Sequence, residues 1–346
     1  MSKRLIALVI TLVLLFGGVL PQPASAAVKL TGKTKDIAFE GTYLGKHGKL
    51  HVDGTNLLDE NDEVVQLKGV STHGINWDVG YPYVNEKAFH NLRDEWGVNC
   101  IRVAMYTQDY NGYCVTDNAS KKKLLSTIDT AVKVTKKLGM YVIIDWHVLN
   151  DKTPKKYEKQ AKAFFKKVAK KYKDNNNVLY EICNEPNGDT SWGTIKSYAK
   201  KVIPVIRKQS EDAVIIVGTP NWSQDVDVAS ESPISGYDNL MYTIHFYAAT
   251  HQDSYRKKCE TALKNGLPVI CTEFSACEAS GDGSLNKSSA NAWLKLLNKY
   301  KVSYCAWSLS NKAESASLLK SSCKKTSGFK TKDVSAMGKW LIGKYR

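Results

Sequence analysis

Eight short apolar, β-rich runs recur along this chain, most of them followed by a longer stretch with helical periodicity. The runs are Val64–Val70, Asn99–Tyr106, Tyr141–His147, Val178–Asn184, Val214–Gly218, Met241–Tyr247, Pro268–Glu273 and Ser303–Ser308. Runs of this length and composition read as buried strands. Glu86–Trp96, Lys121–Leu138, Pro154–Tyr172, Trp192–Gln209, Ser254–Asn265 and Ser288–Tyr300 read as amphipathic helices, with Lys332–Lys344 after the last strand. Eight alternations within about 300 residues fit a (β/α)8 TIM barrel. A doubly wound open sheet would normally carry its glycine-rich ligand fingerprint after the first strand, and none follows Val64–Val70.

The barrel accounts for residues 41–346 as one domain. Gly48–Leu58, punctuated by Gly and Asn, reads as a short N-terminal hairpin, and residues 27–40 read as a polar lead. Residues 1–26 have the layout of a secretory signal peptide: Met1-Ser-Lys-Arg4, an uncharged run from Leu5 to Leu20, then Ala24-Ser-Ala26. The run is short for a membrane span of about 20 residues, so cleavage after Ala26 and a secreted, extracellular protein are expected. The net charge of +15 raises the question of nucleic acid. The lysines, however, fall in pairs such as Lys166-Lys167 and Lys200-Lys201 on the expected outer faces of helices, with no recognition motif, and read as a solvated surface.

The eight cysteines divide into two groups. Cys100, Cys183, Cys271 and Cys305 each precede a chemically pointed residue by two positions (Arg102, Glu185, Glu273, Trp307), so strand alternation places each on the same face one layer deeper, as a reduced core filler. Any disulfide is expected among Cys114, Cys259, Cys277 and Cys323, whose pairing the sequence leaves open. No Cys-x2-Cys or His-x3-His spacing suggests zinc.

In such a barrel the active site lies at the C-terminal ends of the strands. His73 and Trp77 follow the first strand; Arg102 and Tyr106 lie on the second; His147 closes the third; Asn184 and Glu185 close the fourth; His245 and Tyr247 close the sixth; Glu273 closes the seventh; and Trp307 lies on the eighth. Residues of this kind are costly to bury without a purpose. Two carboxylates beside aromatic faces suit glycoside hydrolysis, in which one protonates the leaving oxygen and the other attacks the anomeric carbon or activates water. Glu181, four residues before Glu185 and so about 13 Å deeper along the strand, reads as an interior partner for a cation.

The run Asn184-Glu185-Pro186 after a strand, together with Arg102-Val-Ala-Met-Tyr106, Asp145-Trp-His-Val-Leu149, His245-Phe-Tyr-Ala-Ala-Thr-His251 and Trp307-Ser-Leu-Ser-Asn-Lys312, resembles the endoglucanases (cellulases) of glycoside hydrolase family five, from about Gly41 to the C-terminus. The resemblance implies a retaining endo-β-1,4-glucanase acting on a β-1,4-glucan as a monomer, without cofactor or metal, with Glu185 as acid/base and Glu273 as nucleophile. It further implies that Arg102, His147, Asn184, His245, Tyr247 and Trp307 surround the cleaved sugar, and Tyr106 joins them as a substrate-binding candidate from its place on the second strand. His73, Trp77, Trp222, Lys312 and Glu314 are then substrate-binding positions, Trp222 on the leaving-group side. Mannan, xylan, lichenan and xyloglucan stay open as alternative substrates, and a non-catalytic polysaccharide-binding barrel is the rival from outside enzymology. Phe274-Ser275 departs from the Trp-Gly that relatives often carry after the nucleophile, a change in the cleft wall, and the loop after strand eight carries Asn311 and Ala313, which leaves fine specificity open.

Overall fold

The computed structural model describes residues 29–346, so the expected signal segment lies outside the described residues. Eight parallel strands close on themselves: β3 (Lys68–Thr72), β4 (Cys100–Tyr106), β5 (Tyr141–His147), β6 (Val178–Glu181), β7 (Ile215–Val217), β8 (Leu240–Tyr247), β9 (Val269–Ser275) and β10 (Tyr304–Leu309). β10 pairs with both β3 and β9, which completes the barrel. The antiparallel pair β1 (His51–Asp53) and β2 (Asn56–Leu58) forms the expected hairpin. Leu57 of the hairpin and Leu50 just before it pack with Leu44, Val65 and Leu67 against the inward side chains Tyr141, Ile143, Leu179 and Ile216, so this segment plugs the bottom of the barrel.

Outside the strands the helices supply the second layer. Helix Asn118–Lys137 shows how the sequence directs this: Asp117 caps it by accepting from the Ser120 N–H, and Leu124, Ile128, Ala131 and Val132 recur on one buried stripe. Trp293 of helix Lys287–Lys299 lies flat on Phe246 of β8, ring centres 4.1 Å apart, and its indole N–H donates to His251 O at 2.7 Å. The polar lead is tied down as well. Backbone N–H groups of Thr31, Gly32 and Lys35 donate to Glu95 and Asp94. Among the described residues no helix is long and apolar enough to cross a membrane.

Three expectations need correction. The segment Glu86–Trp96 is not one regular helix: it runs as α-helix Glu86–Asn91 and then widens into a π turn, Leu92–Trp96, stopped by Gly97 in the left-handed region. A short helix, Val226–Glu231, precedes β8 where no periodicity was long enough to announce it. The cysteine rule also holds only by half. Cys100 and Cys305 do face the barrel interior, whereas Cys183 and Cys271 sit in the layer between strands and helices. The regular ladder of β6 stops at Glu181, so alternation no longer links Cys183 to Glu185. In β9 the register against β8 slips from Thr243↔Ile270 to His245↔Glu273, one extra residue, so Thr272 and Glu273 both face inward while Cys271 faces out. All eight cysteines are unbridged, including Cys114, Cys259, Cys277 and Cys323.

Gly69 in β3 explains the inward cysteines. It pairs with Cys100 on one side and Cys305 on the other, and a Cβ there would lie 2.3 Å from Cys305 Sγ. The two thiols fill the space that the glycine leaves. Gly69→Ala is therefore expected to cost about 1–3 kcal/mol by overpacking. In urea unfolding, Cys305→Ala in that background should cost less than the sum of the two single changes.

Candidate active site

Arg102, fully buried on β4, organises the floor of the barrel mouth. Its Nε and Nη2 donate to the two oxygens of Glu181 at 2.7 and 3.1 Å, and Nη2 also donates to Asn184 Oδ1 at 2.6 Å and approaches Asp145 Oδ2 at 3.0 Å. Nη1 donates to Glu273 Oε2 at 3.1 Å. Glu181 thus has the interior cation that its position predicted. One guanidinium serves several carboxyl groups, so the site cannot hold all of them ionised without cost.

The bonding assigns the neighbouring protons. Asn184 Oδ1 accepts from Arg102, so its amide nitrogen donates, to Val148 O at 3.1 Å and to His147 Nε2 at 3.2 Å. His147 therefore carries its proton on Nδ1, which donates to Asp145 Oδ2 at 2.5 Å. Burial and the nearby Arg102 charge push the His147 pKa down to about 3, and the ring is neutral. Burial raises Asp145 to about 7 against the pull of Arg102.

Glu185 and Glu273 face each other above this floor. A carboxylate oxygen of each and a ring nitrogen of His245 all lie within 4.8 Å of one another. Among the described residues these three are the ones whose ligand atoms converge closely enough for a cation, although His245 Nδ1 is already hydrogen-bonded to Glu185 Oε1 at 2.9 Å. Burial, reinforced by the negative charge of Glu273, pushes Glu185 well above the ordinary carboxylate range. Burial raises Glu273 too, but Arg102 opposes it, as does the Tyr247 hydroxyl, which donates to Glu273 Oε1 at 2.7 Å. The environments separate the pair: Glu185 holds a proton more readily and Glu273 gives one up more readily.

A cleft of about 600 Å³ opens over the two carboxyls. His73, Tyr106, His147, Trp222, His245, Tyr247, Trp307, Lys312 and Glu314 line it with Glu185 and Glu273. Arg102 and Asn184 do not reach it; they lie beneath, fully buried. Trp77 stands beside it, edge-on to Tyr106 with ring centres 4.5 Å apart. Trp307 lies nearly parallel to His147, 5.5 Å between ring centres, so its ring is held from below. Trp222 is 42% exposed, on a turn in which Asn221, Trp222 and Ser223 all take φ near +56°. Left-handed backbone at three consecutive non-glycine residues is costly. Hydrogen bonds hold it, Trp222 N–H to Pro186 O at 3.0 Å and Ser223 Oγ to Asn184 O at 2.6 Å, so the segment carrying Asn184 and Glu185 also fixes this indole at the rim.

Two buried polar atoms in the lining find no partner among the described residues, His73 Nδ1 and Glu314 Oε1. Glu314 Oε2 is paired with Lys312 Nζ at 2.5 Å. Unmatched buried groups on a cleft wall are suited to the hydroxyls of a polyol. The sequence did not single out Leu149, Gln224, Tyr255 or the Ala279–Gly281 segment, which also line the cleft. They sit in loops or on a first helical turn, where no periodicity marks a side as inward. His251 lines the cleft as well, and its Nδ1 accepts the Tyr247 N–H at 3.0 Å.

A closed parallel barrel with two buried, electrostatically distinct carboxyls at its mouth, in a cleft walled by tryptophan and unpaired polar atoms, defines a glycoside hydrolase. The family model described as Cellulase (glycosyl hydrolase family 5) matches residues 58–313. The chain is 48% identical over 309 residues to Endoglucanase A of Butyrivibrio fibrisolvens, covering 89% of this chain and 71% of that protein. It is 43% identical to Endoglucanase of Clostridium saccharobutylicum, covering 84% of this chain and 63% of that one. Among solved structures, Cellulase Cel5C_n superposes with a TM-score of 0.83 at 41% identity, covering 88% and 94% of the two chains. The catalytic domain of Thermobifida fusca endoglucanase Cel5A, solved with cellotetraose, superposes at 0.81 with 35% identity, covering 88% and 99%. The chain belongs to glycosyl hydrolase family 5, the cellulase family.

Proposed function

We propose that this protein is a secreted endo-β-1,4-glucanase that cleaves internal glucosidic bonds with retention, Glu185 serving as acid/base and Glu273 as nucleophile. The carrying observation is the close approach of two unlike carboxyls, oxygens within 4.8 Å. Retaining pairs sit about 5–5.5 Å apart and inverting pairs about 6.5–9.5 Å, the larger gap leaving room for a water. The endo action and the glucan follow from the relatives, which are named endoglucanases, one of them solved with cellotetraose.

In the first step an ionised Glu273 oxygen attacks the anomeric carbon while Glu185 gives its proton to the departing glycosidic oxygen. The C–O bond breaks, and a glycosyl ester of Glu273 forms. In the second step the Glu185 carboxylate takes a proton from water as the water oxygen displaces Glu273, which restores both groups. Trp307 and Trp222 offer flat faces to sugar rings on either side of the cut, with Trp222 toward the leaving group. His73, Lys312 and Glu314 take hydroxyls. Asn184, with both amide protons engaged beneath the cleft and Oδ1 on Arg102, holds His147 and Arg102 in place below the reacting groups.

The pH profile follows from the charge states. Activity rises as Glu273 ionises and falls as Glu185 loses its proton, and the raised Glu185 moves the falling limb upward from the ordinary carboxylate range. Plots of kcat/KM against pH on carboxymethyl-cellulose should show that bell, and a profile without an alkaline limb would contradict the assignment. Glu185→Ala should lower cleavage of an unactivated glucan by about 10²–10⁴-fold. An aryl cellobioside whose leaving group needs no protonation should be spared in its first step, so that a burst of phenol appears before slow turnover. Equal loss on both substrates would argue against the acid role.

A panel of carboxymethyl-cellulose, mannan, xylan, lichenan and xyloglucan, read by new reducing ends, tests the substrate. The proposal expects carboxymethyl-cellulose to be among the fastest. Residues 1–26 are proposed to direct export, which N-terminal sequencing of secreted protein checks by finding Ala27 first.

A further inference from the structure

We propose that Glu181, Thr272 and Thr243 are positioning residues that fix the direction of the hydrogen bonds through His245 and thereby keep Glu185 in its proton-bearing form. The inference rests on the reading of Glu185 as the acid/base. It is carried by a count of donors and acceptors in a fully buried cluster that the mechanism above does not use.

Thr272 Oγ1 has three neighbours: Glu181 Oε1 at 2.7 Å, Thr243 Oγ1 at 2.6 Å and His245 Nε2 at 2.8 Å. A hydroxyl has one proton and two lone pairs, so one neighbour must accept and two must donate. Glu181 is the acceptor. Both of its oxygens already take N–H donors from Arg102, the bonding of a carboxylate. Burial pushes its carboxyl up, and the forked Arg102 pair opposes that. Thr243 then donates its hydroxyl proton to Thr272, and its own oxygen accepts the Thr272 N–H at 3.1 Å. The remaining neighbour, His245 Nε2, must carry a proton and donate it.

The consequence appears on the far side of the ring. Burial, with Arg102 and His147 nearby, holds His245 neutral, so a proton on Nε2 leaves Nδ1 as a bare lone pair. Nδ1 faces Glu185 Oε1 at 2.9 Å, and that contact is a hydrogen bond only if Glu185 bears the proton. Once Glu185 has protonated the leaving oxygen, its carboxylate faces a lone pair. That repulsion favours recovery of a proton from the incoming water.

The extra residue in β9 makes the arrangement possible, because it turns both Thr272 and Glu273 inward on one strand. The other charged or titratable groups around Glu185 and His245 are Arg102 and Tyr106 on β4, Asp145 and His147 on β5, Cys183 just after β6, Tyr247 on β8 and Glu273 on β9. Among the described residues the hydrogen bonds of the His245 ring go to Glu185 and Thr272 only.

Two measurements test the relay. In protein labelled with ¹⁵N-histidine, long-range ¹H–¹⁵N spectra near neutral pH should show His245 as the Nε2–H tautomer; an Nδ1–H tautomer overturns the proposal. In Thr272→Val the acceptor for Nε2 is lost, so His245 can turn its proton toward an ionised Glu185. The alkaline limb of kcat/KM should then fall by about one pH unit, the size of one charge-assisted hydrogen bond. Thr272→Ser, which keeps the hydroxyl, should stay at the wild-type position. An unmoved limb in folded Thr272→Val, or an equal shift in Thr272→Ser, overturns the relay. The tautomer is read without turnover, so it decides the relay even if Thr272→Val fails to fold. A wild-type protein that cleaves no glucan would instead defeat the assigned function.

Discussion

Glu273→Gln is expected to lower turnover of a soluble β-1,4-glucan by at least about 10⁴-fold while the protein stays folded and still binds glucan. The amide keeps the shape of the side chain, so Tyr247 and Arg102 retain a neighbour of the same size. What it lacks is a nucleophilic oxygen able to form and release a glycosyl ester. Removing one negative charge from a site where a single buried arginine faces Asp145, Glu181 and Glu273 should not destabilise the fold. It should also lower the Glu185 pKa, because the charge of Glu273 is the largest influence raising it after burial. Reducing-end assays and calorimetric binding of a cello-oligosaccharide separate these effects. Activity within tenfold of wild type would place the nucleophile elsewhere.

Arg102→Met is expected to remove activity and stability together. Its guanidinium donates to Glu181, Asn184 and Glu273 and lies 3.0 Å from Asp145, all at the bottom of the mouth. Methionine fills much of the volume but supplies no charge, which leaves buried carboxylates uncompensated at a cost of about 3–5 kcal/mol. The sign with pH is defined. Without Arg102 these carboxyls have folded pKa values raised above their unfolded values, so the folded state binds more protons. Stability of the variant is then greatest in acid and falls as pH rises through the unfolded carboxylate range and up to the raised values. Glu273 becomes harder to ionise, and activity should drop by at least about 10³-fold at neutral pH. Thermal melts across pH for wild type and variant, compared at each pH, check the first claim. A stability gap that does not widen from acid to neutral pH would contradict it.

The strands of this barrel were legible because most are short runs rich in β-branched or aromatic residues bounded by polar turns, and the site was legible because chemically costly residues sit at their ends. Glu185, Glu273, His245, Tyr247 and Trp307 converge on one cleft as strand position predicted. What escaped the sequence was local backbone irregularity. The early end of β6 and the extra residue in β9 shift the phase of Cys183 and Cys271 without altering composition, so strict alternation failed there. The same irregularity turns Thr272 inward, and nothing in a lone threonine announces a bond to His245. The left-handed turn at Trp222 was equally silent, since its backbone is held by contacts with the Asn184–Pro186 segment rather than by glycine. The tiers of the mouth were also invisible: Arg102 and Asn184 read as lining residues, but a layer of side chains covers them.

The configuration of the freshly released sugar tests the central claim most directly. Proton NMR recorded during the first minutes of cleavage of a soluble cello-oligosaccharide, before the ends mutarotate, distinguishes the two anomers. Two displacements at one carbon by way of Glu273 predict that the β anomer appears first, with the α anomer growing in later. An initial α product would mean a single displacement by water, and the pairing of Glu185 and Glu273 as acid and nucleophile would be wrong.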